Sequence, residues 1–355
     1  MKERNKKLLQ LAQTDVILIS DLPNLRYFTG FTGSSGFAII TNSKNYFLTD
    51  NRYKIQSSEE VFHFYKIIIY EKEPVANILK ILKRLKLKSI GIEADTASFN
   101  FIKKLKKELR GVKFRNVSDY ILSLRSVKSD AELKKIKNAI KIAQKSFNEI
   151  LALIKPGIRE KDIAIELEYK MMKNGADRIA FPTIVTSGSR SALPHANAGE
   201  KKIKNNEVIL IDFGCSVDGY NSDITRTLVL GKPKKIIKKA FNVVKDAMSL
   251  AIENIKIGTE SDKIVLMIDN YIKKAGFEDG LIHSLGHGVG LNIHELPILS
   301  KYKKMKLMKG AVFTIEPGIY IQNIGGVRIE NIIHLAETGP QLLSSNLPLD
   351  IPLVL

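Results

Sequence analysis

The residues best suited to chemistry in this 355-residue sequence are carboxylates that follow apolar runs. Asp212 and Asp223 are eleven residues apart, and Asp218-Gly219 between them is a turn signal. A hairpin folded at this turn would bring the two aspartates near each other on neighbouring strands. The spacing therefore predicts that these two side chains share a site.

A second pair of carboxylates has the same setting. Glu316 and Glu330 are fourteen residues apart, with asparagine and glycine residues between them that predict a second hairpin. Between the two pairs lies His287, in a glycine-rich segment. A single Asp or Glu is more often a helix cap or a surface charge. Five such groups associated with two matched hairpins indicate a functional centre more strongly than any one of them.

The charges of these five groups indicate what they bind. Converging carboxylates repel one another and take up protons unless a cation holds them. Four carboxylates and a neutral imidazole carry a charge of about −4, which two divalent cations balance better than one. Oxygen-rich ligation with one histidine favours Mn²⁺, then Co²⁺ or Fe²⁺, with Zn²⁺ less favoured.

An internal repeat positions the two hairpins. Ile154–Gly157 recurs as Ile255–Gly258, 101 residues later, and each copy lies between two helical patterns. The apolar strands that lead to Asp212 and Glu316 are offset by 104 residues. Residues from about 126 to the end are thus predicted to form two helix–helix–strand units that face each other; chance similarity of apolar strands is the alternative.

The first third of the chain predicts a separate mixed α/β domain. Five strands and two helices are indicated, at residues 15–20, 37–41, 46–49, 65–70 and 89–93, and at 75–85 and 99–109. A capping box at Ser129–Glu132 starts a long amphipathic helix that is predicted to end at Pro156-Gly157. We therefore place the domains at residues 1–124 and 125–355.

Composition limits the location and the partners. The single cysteine, Cys215, excludes an internal disulfide, and no apolar run approaches the ~20 residues of a membrane span, so we expect a cytoplasmic protein without a membrane partner. The net charge of +19 raises nucleic-acid binding as a hypothesis. The lysines follow helix patterns, which favours a solvated surface and makes a nucleic-acid partner unlikely.

The motifs around these residues resemble the "pita-bread" metallopeptidases of family M24, which include aminopeptidase P, prolidase, creatinase and methionine aminopeptidase. The resemblance rests on IDFG, NSDITRT, HSLGHGVGLNIHE, FTIEPGIY, GGVRIEN and SGSRSALPHA. The N-terminal LRYFTGFTGSSGFAIIT and FLTDNRY also resemble the leading domain of the proline-specific members. The fold class implied is α/β, more narrowly α+β. It joins an N-terminal creatinase-like mixed α/β domain to a C-terminal pita-bread domain with a pseudo-twofold repeat and a curved, mainly antiparallel sheet.

The resemblance implies roles for the metal ligands. Asp212 would chelate one metal ion, Asp223 and Glu330 would bridge both, and His287 and Glu316 would bind the other. Glu316 would also move a proton toward the leaving proline nitrogen.

The resemblance also implies roles for three further histidines and an arginine. His195 and His294 would hydrogen-bond the substrate and stabilise the tetrahedral intermediate, and His283 would line the proline pocket. Arg328, two residues before Glu330, would orient a bridging carboxylate or meet the substrate's carboxylate. One departure from the family pattern is Ala196, where the family often has glycine; it concerns the backbone of that loop and leaves the proposed chemistry unchanged.

The activity implied is hydrolysis of the bond between a first residue and a following proline in small peptides. The N-terminal match favours an Xaa-Pro aminopeptidase slightly over an Xaa-Pro dipeptidase. Methionine aminopeptidase and a non-catalytic binding module, for nucleic acid or protein, are remoter alternatives. A homodimer is implied by resemblance, while the native metal and the preferred first residue are left open.

Overall fold

The computed structural model describes residues 2–347 and the backbone of Leu353–Val354. The chain divides into two compact units, Met1–Arg125 and Ser126–Leu355. Each unit is mixed α/β, as predicted, and each has its own buried apolar core.

The first unit is built on a six-stranded sheet of order β4-β3-β2-β1-β5-β6. The central strand β1 pairs antiparallel with β2 and parallel with β5, and its four apolar residues are all buried. The elements are α1 (Lys2–Ala12), β1 (Val16–Ile19), α2 (Leu22–Thr29), β2 (Phe37–Thr41), β3 (Asn45–Asp50), α3 (Lys54–Glu60), β4 (Tyr65–Tyr70), α4 (Pro74–Arg84), β5 (Ser89–Ile92), α5 (Phe99–Glu108), β6 (Lys113–Asn116) and α6 (Ser118–Ser126).

Four helices of this unit, α1, α2, α3 and α6, were not predicted from the sequence. Helix α1 is rich in lysine, and only four of its residues are buried. Helix α2 spans eight residues and is capped by Asp21, whose carboxylate accepts a hydrogen bond from Asn24 N. Such short helices carry little periodic signal, because a few apolar residues fit several patterns.

The second unit contains two consecutive helix pairs, each followed by strands. Its elements are α7 (Asp130–Ile150), α8 (Glu160–Lys173), β7 (Arg178–Ile179), β8 (Ile184–Ser187), β9 (Glu207–Phe213), β10 (Cys215–Val217), β11 (Tyr220–Asn221), β12 (Ile224–Leu230), α9 (Lys235–Asn254), α10 (Ser261–Lys274), β13 (Gly286–Gly288), β14 (Glu295–Leu299), β15 (Val312–Ile315), β16 (Gly318–Ile321), β17 (Gly325–Arg328), β18 (Asn331–Ala336), β19 (Gly339–Leu342) and β20 (Leu353–Val354).

The helix pairs match the predicted repeat. Helices α7 and α8 contact strands β7, β8, β10 and β11, whereas α9 and α10 contact strands β14 to β17. The long helix α7 starts with the predicted capping box at Ser129, but it ends at Ile150, not at Pro156-Gly157. A short 3₁₀ turn, Leu151–Leu153, follows it, and its two leucines continue the apolar pattern past the true helix end.

Two antiparallel hairpins occupy equivalent places in the two halves. Strands β9 and β12 pair with Asp212 opposite Thr225, and the chain between them reverses at the predicted turn, Asp218-Gly219. Strands β15 and β18 pair with Ile315 opposite Asn331, and β16 and β17 form the hairpin between them. Pairing in this unit is antiparallel throughout the described strands, except between β12 and β20.

The helices of the protein can be compared with the length and hydrophobicity that a membrane span requires. Within the part of the chain that the structure describes, each helix is too short or too polar to cross a bilayer.

Candidate metal centre and active site

All nine side chains predicted to form the site line one cavity of about 340 Å³ in the second unit. They are His195, Asp212, Asp223, His283, His287, His294, Glu316, Arg328 and Glu330. Phe181, Ile184, Ser284 and Ile293 complete the lining. The structure thus brings together residues that are up to 135 positions apart in the sequence.

The two hairpins explain why the carboxylates converge. Asp212 lies near the end of β9, Asp223 precedes β12, Glu316 follows β15 and Glu330 follows β17. A direct link between the halves, Glu330 N donating to Thr225 O at 3.1 Å, holds the ends of the two hairpins together. Each half therefore delivers two carboxylates to the same point.

His287 faces the carboxylates from strand β13. Its Nε2 atom lies 3.5 Å from Asp223 Oδ2 and 3.5 Å from Glu316 Oε1. Its Nδ1 lies 3.1 Å from Gly288 O, and because a carbonyl only accepts, Nδ1 carries the proton. Nε2 then presents a lone pair to the cavity, which is the arrangement of a metal-binding imidazole. Burial lowers the pKa of His287 to about 4, which keeps the ring neutral.

The two positions on either side of His287 require glycine because neighbouring strands lie too close for a side chain. A Cβ added to Gly286 would overlap Thr314 O, and one added to Gly288 would overlap Leu296 O. Only glycine lets β13 lie this close to its neighbours. The sequence Gly286-His287-Gly288 therefore places the imidazole between β14 and β15.

Burial and mutual repulsion both act on the carboxylates. The pKa values of Asp223 and Glu330 are raised well above their ordinary values, first by burial and then by the neighbouring carboxylates. Burial raises the pKa of Glu316 to about 8. A cluster of this kind is unfavourable without a cation.

The donor set fits divalent metal ions. One ligand atom from each of Asp223, His287 and Glu330 lies within 4.8 Å of the others. Asp212 Oδ2 accepts a hydrogen bond from Arg328 Nη2 at 2.5 Å, but within the described residues no group donates to its buried Oδ1. A buried carboxylate oxygen that lacks a protein donor, beside three more carboxylates and an imidazole lone pair, is suited to a hard or borderline cation.

Arg328 contacts both the carboxylate cluster and Tyr320. Its guanidinium donates to Asp212, to Thr225 Oγ1 at 3.1 Å, and to Tyr320 OH at 2.8 Å. Thr225 Oγ1 in turn donates to Glu330 Oε2 at 2.7 Å. Arg328 is only 2% exposed, so these contacts hold a charge that is almost fully out of water.

His283 is tied to the same network through Tyr320. His283 Nδ1 donates to Ser284 O at 2.7 Å, which leaves Nε2 to accept from Tyr320 OH at 2.9 Å. Burial lowers the pKa of His283 to about 4, so the ring is neutral in this contact. His195 and His294 lie at the exposed part of the cavity lining, and the rings of His294 and His287 meet edge to face at 4.1 Å between centroids.

Sequence reasoning missed Tyr320 and Thr225, because both residue types are ordinary strand formers. The register of the β16–β17 hairpin could have indicated Tyr320. Gly318 pairs with Arg328 and Tyr320 pairs with Gly326, so Tyr320 and Arg328 are diagonal neighbours on one face.

A cavity lined by converging carboxylates, histidines and a buried arginine defines a metal-dependent hydrolase. Residues 134–337 match the family described as Metallopeptidase family M24, and residues 2–127 match the Creatinase/Prolidase N-terminal domain. The chain belongs to metallopeptidase family M24. The predicted resemblance, the fold class and the expectation of a metallo-exopeptidase are thereby confirmed.

Three relatives cover nearly the whole chain. The Xaa-Pro dipeptidase of Pyrococcus horikoshii is 37% identical over 349 residues, which is 97% of this chain and 97% of that protein. The structure of an Xaa-Pro dipeptidase from Bacillus anthracis superposes with a TM-score of 0.94 at 36% identity and covers 99% of this chain and 98% of that one. An X-Pro aminopeptidase from Thermotoga maritima superposes with a TM-score of 0.89 at 35% identity, over 97% and 99%.

Proposed function

We propose that this protein is an Xaa-Pro dipeptidase, which hydrolyses the bond between the first residue and proline in a dipeptide. The observation that carries the proposal is the single cavity in which all nine predicted site residues meet. Its volume of about 340 Å³ lies within the range of small-molecule binding sites. Two of the three relatives are dipeptidases, which favours this activity over the aminopeptidase that the N-terminal motifs had favoured.

The proposed metal ligands are Asp212, Asp223, His287, Glu316 and Glu330. Members of this family use divalent metals, and the chemistry that such ions supply when bound is activation of water near neutral pH and polarisation of a carbonyl oxygen. Asp223 and Glu330 are deeply buried, and one ligand atom of each lies within 4.8 Å of a ligand atom of His287, which supports their assignment as the bridging pair. Two ions per chain and manganese as the native metal are proposals from the donor set.

The remaining residues bind and orient the substrate and move its proton. Glu316 lies beside His287 and lines the cavity, where its carboxylate can pass a proton to the leaving proline nitrogen. His195 and His294 are proposed to donate hydrogen bonds to the substrate carbonyl as negative charge develops on its oxygen. His283 is proposed to line the proline pocket.

Arg328 is better placed to orient ligands than to bind the substrate. Its guanidinium already donates to Asp212, Thr225, Tyr320 and Pro194 O. Of the two roles that the family resemblance implied for it, the contacts therefore favour the orientation of carboxylates.

Three further expectations are kept as proposals. These are a catalytic domain at residues 125–355 behind a leading domain at 1–124, a homodimer, and a cytoplasmic location. Sedimentation velocity of the full chain tests the expected homodimer directly.

Matched substrates test the proposed activity. Metal-loaded enzyme is assayed on Ala-Pro, on Ala-Pro-amide and on Ala-Pro-Ala, which share the scissile bond and differ in the group attached to the proline carbonyl. Preference for Ala-Pro supports the dipeptidase. Equal or faster cleavage of the amide and the tripeptide overturns it in favour of the aminopeptidase, and no cleavage of any of the three overturns the proline-specific function altogether.

A further inference from the structure

The exposed imidazole of His294 is carried by a tight turn between β13 and β14. Gly290 N donates to Asn292 O at 3.1 Å, and strand β14 begins immediately after His294, at Glu295. His294 itself is exposed to solvent. The conformation of this turn, residues 290–294, therefore sets where the imidazole lies in the cavity.

The side chain of Glu295 is buried beneath the turn. Its Oε1 accepts a hydrogen bond from Asn292 N at 2.9 Å. Its carboxylate also lies against the α-carbon of Gly290, where a Cβ would come within 2.7 Å of Oε2. A single carboxylate thus contacts both the start and the middle of the turn.

Lys128 meets Glu295 in the interior. The Nζ atom of Lys128 is 3.4 Å from Glu295 Oε2, and both side chains are only 1% exposed. The lysine backbone is fixed, because Lys128 N donates to Gly310 O at 2.9 Å and Val127 forms a bridge with Ala311. The charge beneath the turn therefore has a defined position relative to strand β15.

Asn221 also holds the turn, through hydrogen bonds to its backbone carbonyls. Its Nδ2 donates to Gly290 O at 2.9 Å and to Leu291 O at 3.2 Å, and its backbone N donates to Gly290 O. Asn221 is two residues before Asp223, so this contact connects the turn to a proposed metal ligand. The buried polar side chains of Glu295 and Asn221 thus both hold the turn.

Stability alone does not account for a buried ion pair at this place. Replacing such a pair by well-packed neutral residues is often neutral or stabilising, whereas a buried pair fixes geometry closely when both partners are held. We propose that Lys128 and Glu295 are positioning residues, which hold the turn 290–294 so that His294 meets the reacting carbonyl. This inference rests on the proposed function through the role of His294.

The test compares the full-length enzyme with Glu295→Gln, Lys128→Met and the double variant. Ile268→Val is the matched control, because Ile268 is fully buried in α10 and its truncation lowers stability without a change at the turn. We expect kcat for Ala-Pro to fall about 10- to 100-fold per folded molecule, with KM changed far less, because a small misplacement of a catalytic group has this effect. The double variant should lose no more than the worse single variant, since both act on one contact.

Hydrogen exchange gives a readout that does not depend on activity. The amides of Gly290 and Asn292 should exchange faster in the three pair variants than in wild type and Ile268→Val. Unchanged exchange at both amides, or a loss of kcat that only follows the unfolded fraction, overturns the proposal. If a single variant fails to fold, the uncharged double variant decides by the same two measurements.

Failure of the proposed function is distinguishable from failure of this inference. Wild-type protein that cleaves no Xaa-Pro peptide contradicts the function, while the exchange rates at the turn still decide whether Lys128 and Glu295 hold it.

Discussion

The two units bury carboxylates in opposite ways. Glu93 in the first unit is 2% exposed and accepts hydrogen bonds from Ser20 N, Asp21 N and Asn24 Nδ2 at 2.6, 2.9 and 2.8 Å. Asp223 and Glu330 in the second unit are as deeply buried, but they face other carboxylates. Protein donors offset part of the cost of burying Glu93, although burial still raises its pKa, whereas carboxylates that meet one another need a cation.

The largest expected effect comes from removing one of the facing charges. Asp223→Asn preserves volume, and we expect kcat/KM for Ala-Pro to fall about 10³-fold or more, because water activation is lost with metal binding. The metal-free variant should also unfold at a higher temperature than metal-free wild type, because repulsion among the carboxylates is relieved. Elemental analysis, kinetics and calorimetry measure these changes; a variant that keeps its full metal content and activity would contradict the assignment.

A smaller effect is expected at the arginine that links the carboxylates to His283. Arg328→Lys keeps the charge but loses the planar fork that contacts Asp212, Thr225 and Tyr320 together. We expect a loss of about 10- to 100-fold in activity or metal affinity. Steady-state kinetics and metal titration measure it, with Tyr320→Phe as the milder comparison; equal activity in Arg328→Lys and wild type would show that the fork is dispensable.

Glu93→Gln tests the other side of the comparison. The amide keeps the size of the side chain but leaves one backbone N–H facing another donor, so we expect the free energy of unfolding to fall by about 1–3 kcal/mol. Denaturant unfolding measures this in metal-free protein, where Asp223→Asn should change stability in the opposite direction. If both variants changed the free energy of unfolding in the same direction, the distinction between the two kinds of buried carboxylate would not hold.

The smallest effect is expected for a partly exposed carboxylate near the surface, Glu260. Glu260 lies 2.7 Å from both Lys263 and Lys304, and its hydrogen bonds to them lower its pKa to about 2. A depressed pKa stabilises the fold above the ordinary value of 4.5, and this contribution is lost as pH falls toward 2. Because solvent screens these pairs, Glu260→Gln should lower the unfolding midpoint at pH 7 only slightly, and a decrease in calorimetry as large as that of Glu93→Gln would contradict this.

The four carboxylates and His287 were predictable from local features, because they lie at the ends of apolar strands, near turn signals or in a glycine-rich segment, whereas His195, His283, His294 and Arg328 were expected only from the family resemblance. Asp218-Gly219 specified the first hairpin in this way. The hydrogen-bond partners were not predictable to the same extent. Lys128 and Glu295 are 167 residues apart, and neither belongs to a sequence pattern that predicts their contact. The end of α7 was also misplaced, because the 3₁₀ turn after it continues the apolar periodicity.

The position of Lys128 limits how the protein can be shortened. The match to the peptidase family begins at residue 134, which makes that residue an attractive place to truncate the N-terminus. A chain cut there would retain all nine residues that line the cavity but would lose the lysine that contacts Glu295. A catalytic fragment that keeps the geometry of its active site must therefore begin before Val127, upstream of the backbone bridge to Ala311.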